Sequence, residues 1–193
     1  MKISQLRKIV GLLGLLLSLS LSLQAQNMYQ LAGKPELKVM GGSTIHDWEM
    51  VASAATGNAG ILVDRQNITA IRMAEVTMKA TALKSGKGQM DDIAYKSLKA
   101  AKNPNISFKL TSFKNLGSNK ASVTGNLTVA GTTKPVTFLV QYFVKGEVVN
   151  LEGKANFKMT DFNIQPPTAM LGTIKTDDKV TVSFKAIFNL INS

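Results

Sequence analysis

Residues 180–190 read Val-Thr-Val-Ser-Phe-Lys-Ala-Ile-Phe-Asn-Leu. Val180, Val182, Phe184, Ala186, Phe188 and Leu190 take every second position, and Thr181, Ser183, Lys185 and Asn189 stand between them. A period of two sends alternate side chains to opposite faces of a strand, so this segment is a strand with one buried face. The rhythm recurs through most of the chain. Val149, Leu151, Gly153, Ala155, Phe157 and Met159 alternate with Asn150, Glu152, Lys154, Asn156 and Lys158, and Val123, Gly125, Leu127 and Val129 with Thr124, Asn126 and Thr128. Val136, Phe138, Val140, Tyr142 and Val144 form a fourth apolar face, but Leu139 and Phe143 stand on the opposite side and predict an apolar neighbour there, a helix or a partner.

Shorter strands are expected at 37–40, 44–54, 59–64, 68–78 and 106–113, with turn signals at Gly41-Gly42, Thr56-Gly57-Asn58, residues 115–119 and Lys145-Gly146. One segment breaks the pattern. From Met90 to Lys102, Ile93, Ala94, Leu98 and Ala101 make a helical stripe; Asp91 or Asp92 suits the first turn, Lys99 and Lys102 the last, and Asn103-Pro104 ends it. Nine or ten evenly spaced strands with one inserted helix predict an all-β antiparallel barrel or sandwich. Closure is favoured because it removes exposed sheet edges, and a barrel of about eight strands has room for one small ligand. The mid-strand lysines Lys154, Lys158 and Lys185 could line the lumen of an outer-membrane barrel, but the short strands and the inserted helix favour a soluble one.

The first 25 residues read as an export signal. Lys2, Arg7 and Lys8 precede an apolar run from Ile9 to Leu23, and Ala25 offers a small residue at the cleavage point. The run is shorter than the roughly 20 residues a spanning helix requires. Cleavage leaves one domain, 26–193, and lowers the net charge from +11 to +8. The chain has no cysteine, which excludes disulfides, thiolate metal sites and a cysteine nucleophile; one histidine makes zinc a poor expectation. The lysines are scattered rather than interleaved with aromatics in one block, so the basic balance points away from nucleic acid. In an exported protein it suits an anionic lipid head group or membrane surface. Lys84, Lys87, Lys96, Lys99 and Lys102 near the helix would serve that role, or simply form a solvated face.

Residues 125–138, Gly-Asn-Leu-Thr-Val-Ala-Gly-Thr-Thr-Lys-Pro-Val-Thr-Phe, resemble the strand-turn-strand signature of the YceI-like family. The helical segment from Met90, followed by Pro104-Asn105-Ile106-Ser107-Phe108, resembles that family's helix and next strand. Asp161-Phe162 with Val180-Thr181-Val182 resembles its closing region, and Thr44 to Trp48 sits where its N-terminal strand carries a histidine. The resemblance implies an extended lipocalin-like antiparallel β-barrel whose long apolar tunnel binds polyisoprenoid or other lipid chains, without a cofactor and without catalysis. Two features depart from the family: Met159 stands where many relatives have an arginine two residues before the Asp-Phe pair, and Gln165 to Gly172 form a proline-marked loop.

Ser43-Thr44-Ile45-His46-Asp47-Trp48-Glu49 holds the chain's single histidine and single tryptophan. Read as a strand, it puts Ser43 and Asp47 on one face and His46 and Trp48 on the other, which breaks a Ser-His-Asp triad; no G-x-S-x-G elbow surrounds Ser43 either. His46 and Trp48 are then candidates for the wall or mouth of a pocket, with simple packing as the competing reading. The ligand-lining candidates are Met73, Phe108, Phe138, Tyr142, Phe157, Phe162, Phe184 and Phe188, with Met78 and Met159 as further adaptable surface. Alternation alone leaves open whether they line a tunnel or fill a packed barrel serving as a structural or interaction module.

Overall fold

A computed structural model describes residues 27–191. The expected signal segment 1–25 lies outside the described residues. Ten strands follow in order: β1 (Asn27–Ser43), β2 (Trp48–Ala52), β3 (Thr56–Asp64), β4 (Asn67–Lys79), β5 (Asn105–Gly117), β6 (Lys120–Val129), β7 (Thr132–Lys145), β8 (Val148–Lys158), β9 (Thr168–Ala169) and β10 (Ile174–Leu190). One helix, α1 (Gly88–Ser97), lies between β4 and β5, and short 3-10 turns occupy Ala80–Ala82, Met159–Phe162 and Met170–Gly172.

The sheet runs β1-β3-β4-β5-β6-β7-β8-β10 and closes where β10 pairs antiparallel with β1. Eight strands therefore form the barrel expected from the alternation. β2 and β9 extend its wall at one end as short partners of β1 and β10. The register stacks inward residues in rows. One row runs Ala121, Val140, Gly153, Phe184 and Leu37 across β6, β7, β8, β10 and β1. The neighbouring outward row carries Gln141, Glu152 and Lys185 side by side. Apolar inside and charged outside is the reverse of a transmembrane barrel.

One end of the barrel is a solid core: Ile61, Ile68 and Val149 are 0 % exposed and Val144 1 %. Tyr29 is buried in the same cluster; burial, and then the charge of Glu147, raise its pKa above the ordinary phenol value. At this end β4 and β5 part company. They pair only from Lys79/Asn105 to Glu75/Lys109. Register shifts in β4 around Thr69 and Arg72 and in β5 around Thr111 and Leu116 bend the two strands away from the common ladder. The Asn115 amide closes the seam, donating to the Ile68 carbonyl at 2.7 Å and to the Tyr142 hydroxyl at 3.1 Å.

The helix differs from the sequence reading at both ends. It spans 88–97 rather than 90–102, and Lys99 turns left-handed (φ 51°), which buries Ala100 and exposes Ala101. Asp91 does not cap it by bonding the first-turn amides. Its carboxylate reaches back to Ser85, accepting from the backbone N–H at 2.8 Å and from the hydroxyl at 2.7 Å, with the Lys84 ammonium 3.7 Å away. Those bonds hold its pKa below the ordinary 3.8. The helix is tied to the preceding 3-10 turn through the Tyr95 hydroxyl, 2.7 Å from the Leu83 carbonyl and 3.0 Å from that of Thr81. Its stripe covers one mouth of the barrel, not the outer wall of β7, so Leu139 (62 %) and Phe143 (56 %) stay exposed and the apolar cover expected there is not supplied by α1.

Candidate functional site

A cavity of about 560 Å³ runs from the solid end of the barrel to the mouth under α1. That volume lies in the range typical of small-molecule and cofactor pockets. Its wall is built by the alternation itself, since inward positions of β3 to β8 and β10 such as Ile61, Val76, Phe108, Val123, Val140, Leu151 and Val182 each add an apolar group. Two apolar clusters meet along it and share Val123, Leu151 and Phe184. At the junction Phe108, Phe138 and Phe184 form a chain of edge-to-face rings, with centroids 5.7 Å and 5.5 Å apart. Glycines make room for this chain. The Phe108 ring lies over Gly125, and a methyl added at Gly153 would stand 2.6 Å from Phe184 Cε1. Nearer the mouth, the Phe157 ring packs against Phe162 at 5.0 Å with the planes tilted by 59°; Phe162 is 1 % exposed, fixed by the 3-10 turn that Asp161 caps by accepting from Lys158 N–H at 2.9 Å. Asp178 holds the same turn through Thr160 N–H and Oγ, at 2.9 and 2.7 Å, and these bonds lower its pKa.

Of the residues singled out in the sequence, His46, Trp48, Phe108, Phe138, Tyr142, Phe157, Phe162, Phe184 and Phe188 line the cavity, with Met78 and Met159. Met73 does not. The register shift around Arg72 changes the phase of β4, so Ile71 and Ala74 point inward and Met73 falls on the outer face beside Glu75. A bulge leaves no mark in an otherwise regular alternation. Sequence reasoning also passed over Ile45, Met50, Met90 and Ile174, which line the mouth; the short β2 and the helix face bring them there.

Residues 44–47 form a turn, so of the strand expected over 44–54 only Trp48–Ala52 is strand. β1 ends at Ser43, β2 starts at Trp48, and Gly41-Gly42 belong to β1 rather than to the turn. Ser43 Oγ donates to the His46 carbonyl at 2.7 Å and accepts from the His46 N–H at 3.3 Å, so the serine is bound to histidine's backbone and not to its ring. His46 is exposed at the rim. Its Nδ1 sits 2.8 Å from the Asp47 carbonyl, which assigns the proton to Nδ1 and leaves Nε2 as the acceptor in the neutral ring. Trp48 packs over Gly41 and its Nε1–H donates to the Gly42 carbonyl at 2.9 Å, fixing the β1–β2 hairpin. The triad is excluded by turn geometry rather than by strand alternation. Among the described residues no cluster of three or more metal-ligating side chains occurs.

Charge is sparse along the wall. Among the described residues Lys38 and Lys87 are the only charged ones that line it, and the Lys38 ammonium is 3.3 Å from the Glu49 carboxylate.

The family model of the YceI-like domain matches residues 39–188. The chain belongs to the YceI-like family. Relatives include a UPF0312 protein of Pseudomonas putida, 35 % identical over 43 % of this chain and 46 % of its own length, and one of Azotobacter vinelandii, 29 % identical over 47 % and 52 %. The matched stretch thus spans about half the length of these relatives. Among solved structures, BcnA of Burkholderia cenocepacia superposes with a TM-score of 0.66 at 20 % identity, covering 79 % of this chain and 95 % of BcnA. A polyisoprenoid binding domain from Saccharophagus degradans superposes at 0.65 with 12 % identity, covering 84 % and 98 %. At such identities the likeness is one of fold, and the YceI-like barrel with its helix agrees with it.

Proposed function

We propose that this YceI-like protein is an exported carrier or sequestering protein that holds one polyisoprenoid or similar long apolar chain inside the barrel, without catalysis. The observation that carries the proposal is the cavity: about 560 Å³, closed at one end, open at the other and walled by aliphatic and phenyl side chains. A hydrocarbon chain needs no directional contacts, because each buried methylene contributes about 0.8 kcal/mol. The fold shared with a polyisoprenoid binding domain supports the ligand class. The residues 1–25 support export, and His46, with Ser43 engaged by backbone, supports a non-enzymatic role. A head group would lie at the mouth, near His46 and Lys87.

Lipid extraction and native mass spectrometry of the mature chain test the reading. One long-chain lipid per barrel is expected, and N-terminal sequencing of the exported protein should begin at Gln26. A barrel that carries no lipid and takes up none from added polyprenyl chains would sink the proposal. Leu139 and Phe143 favour a second reading, a barrel that acts as an interaction module through its outer wall.

A further inference from the structure

Apolar side chains stand free in water around the cavity mouth. Ile45 is 60 % exposed, Met170 71 % and Leu171 109 %. They belong to two segments, the β1–β2 turn and the loop before β10, which backbone and hydroxyl bonds join into one rim. Thr44 N–H donates to the Lys175 carbonyl at 3.0 Å, Thr44 Oγ1 donates to the Thr173 carbonyl at 3.4 Å, and Lys175 N–H donates to Thr44 Oγ1 at 3.2 Å. The exposure is held by the backbone: Met170 and Leu171 are both left-handed, with φ of 52° and 55°, a conformation that residues other than glycine avoid. Ile45 and Met170 also line the cavity, so the rim and the cavity form one continuous apolar surface.

We propose that this rim inserts into the surface of a lipid bilayer and sets the open barrel against it. The inference rests on the carrier reading. A long hydrocarbon chain that left a membrane through water would expose all its methylenes, whereas a rim seated among the acyl chains gives it a continuous apolar path. A bilayer suits this rim better than a protein groove, because the three side chains project from loop tips rather than forming a packed face. Charges of both signs flank it: Lys38, Lys87 and Lys175 on one hand, and Asp47 and Asp177 beside Gly42 on the other. The mature chain's net charge of +8, which is +11 less the three positive charges within residues 1–25, favours an anionic bilayer.

Flotation of the mature protein with phosphatidylcholine vesicles containing phosphatidylglycerol tests the rim. Leu171→Asp and Ile45→Asp are compared with Leu139→Asp, which places the same charge on the outer wall. Aspartate tolerates the left-handed backbone at 171, so the fold survives the change. The wild type is expected to float; each rim variant should bind vesicles at least about tenfold more weakly, and Leu139→Asp should match the wild type. Failure of the wild type to float overturns the proposal, as does equal weakening by Leu139→Asp. A concentration-dependent dimer lost in Leu171→Asp also overturns it, in favour of a second copy on the rim. Native mass spectrometry on the same samples separates the two readings: lipid-filled barrels that do not float refute the rim alone, and floating barrels that never hold lipid refute the carrier alone.

Discussion

Gly153→Val should empty the barrel without unfolding it. Gly153 lies in β8, in the inward row with Ala121, Val140, Phe184 and Leu37. A Cβ there would stand 2.6 and 2.7 Å from Phe184 Cε1 and Cζ and 3.0 Å from Val140 Cγ2, all side-chain atoms. Ordinary carbon contacts lie near 3.5–4.0 Å, so the Phe184 ring must recede by about 1 Å, and the cavity is where it can go. Overpacking costs about 1–3 kcal/mol, and replacing a strand glycine offsets about 0.5–1 of that. The net loss is at most about 2.5 kcal/mol, or roughly 10 °C in Tm for a chain of this size. Binding should suffer more. At about 30 Å³ for a water-sized group, the 560 Å³ cavity holds on the order of 18 such groups. Displacing only three methylenes costs about 2.4 kcal/mol, roughly fiftyfold in Kd. The assay pairs a thermal scan with quantitative lipid extraction. Unchanged lipid content in a folded variant would refute the reasoning, and so would a Tm loss far above about 10 °C from a wild type that carries no lipid, because that is the response of a solid core.

Two further outcomes follow from the hydrogen bonds. Asn115→Leu removes the donor to the Ile68 carbonyl and the Tyr142 hydroxyl, which should cost about 1–3 kcal/mol and speed amide exchange in β4 over 67–74; unchanged exchange there would show that the seam closes without it. Asp91→Asn should lower Tm at neutral pH, because a carboxylate with a depressed pKa stabilises the fold above its unfolded value near 3.8 and loses that contribution as the pH falls through the folded value. The Tm gap to the wild type should therefore be flat above pH 5 and shrink below about 3.8. A gap independent of pH down to 2.5 would mean that the Ser85 bonds do not depend on the charge.

The strands and their inward faces were legible in the residues from 120 to 190, because a period of two admits one reading wherever one face is buried. Phe138, Tyr142, Phe184 and Phe188 had to point inward, and they do. At the mouth His46 and Trp48 line the cavity as expected, but the turn that carries His46 was not legible. Ser43 to Trp48 alternates well enough to pass for strand, yet Ser43 Oγ folds it into a turn, a choice made by local hydrogen bonds that compete with the ladder. Met73 was misplaced for a related reason: a bulge shifts the phase by one residue and alters no residue type.

The sequence by itself determined that this chain is all-β with apolar inward faces, since that conclusion needs only which residues share a face, and its motifs carried the resemblance to the YceI-like family. Whether those faces meet was decided by the tertiary structure alone. Closure through β1 and β10 sets the barrel's width, the rings over Gly125 and Gly153 set its inner contour, and α1 lies over the mouth. An inward phenylalanine reads the same in a solid core and in a tunnel wall; the difference is the distance to the side chain opposite, and the fold sets that distance.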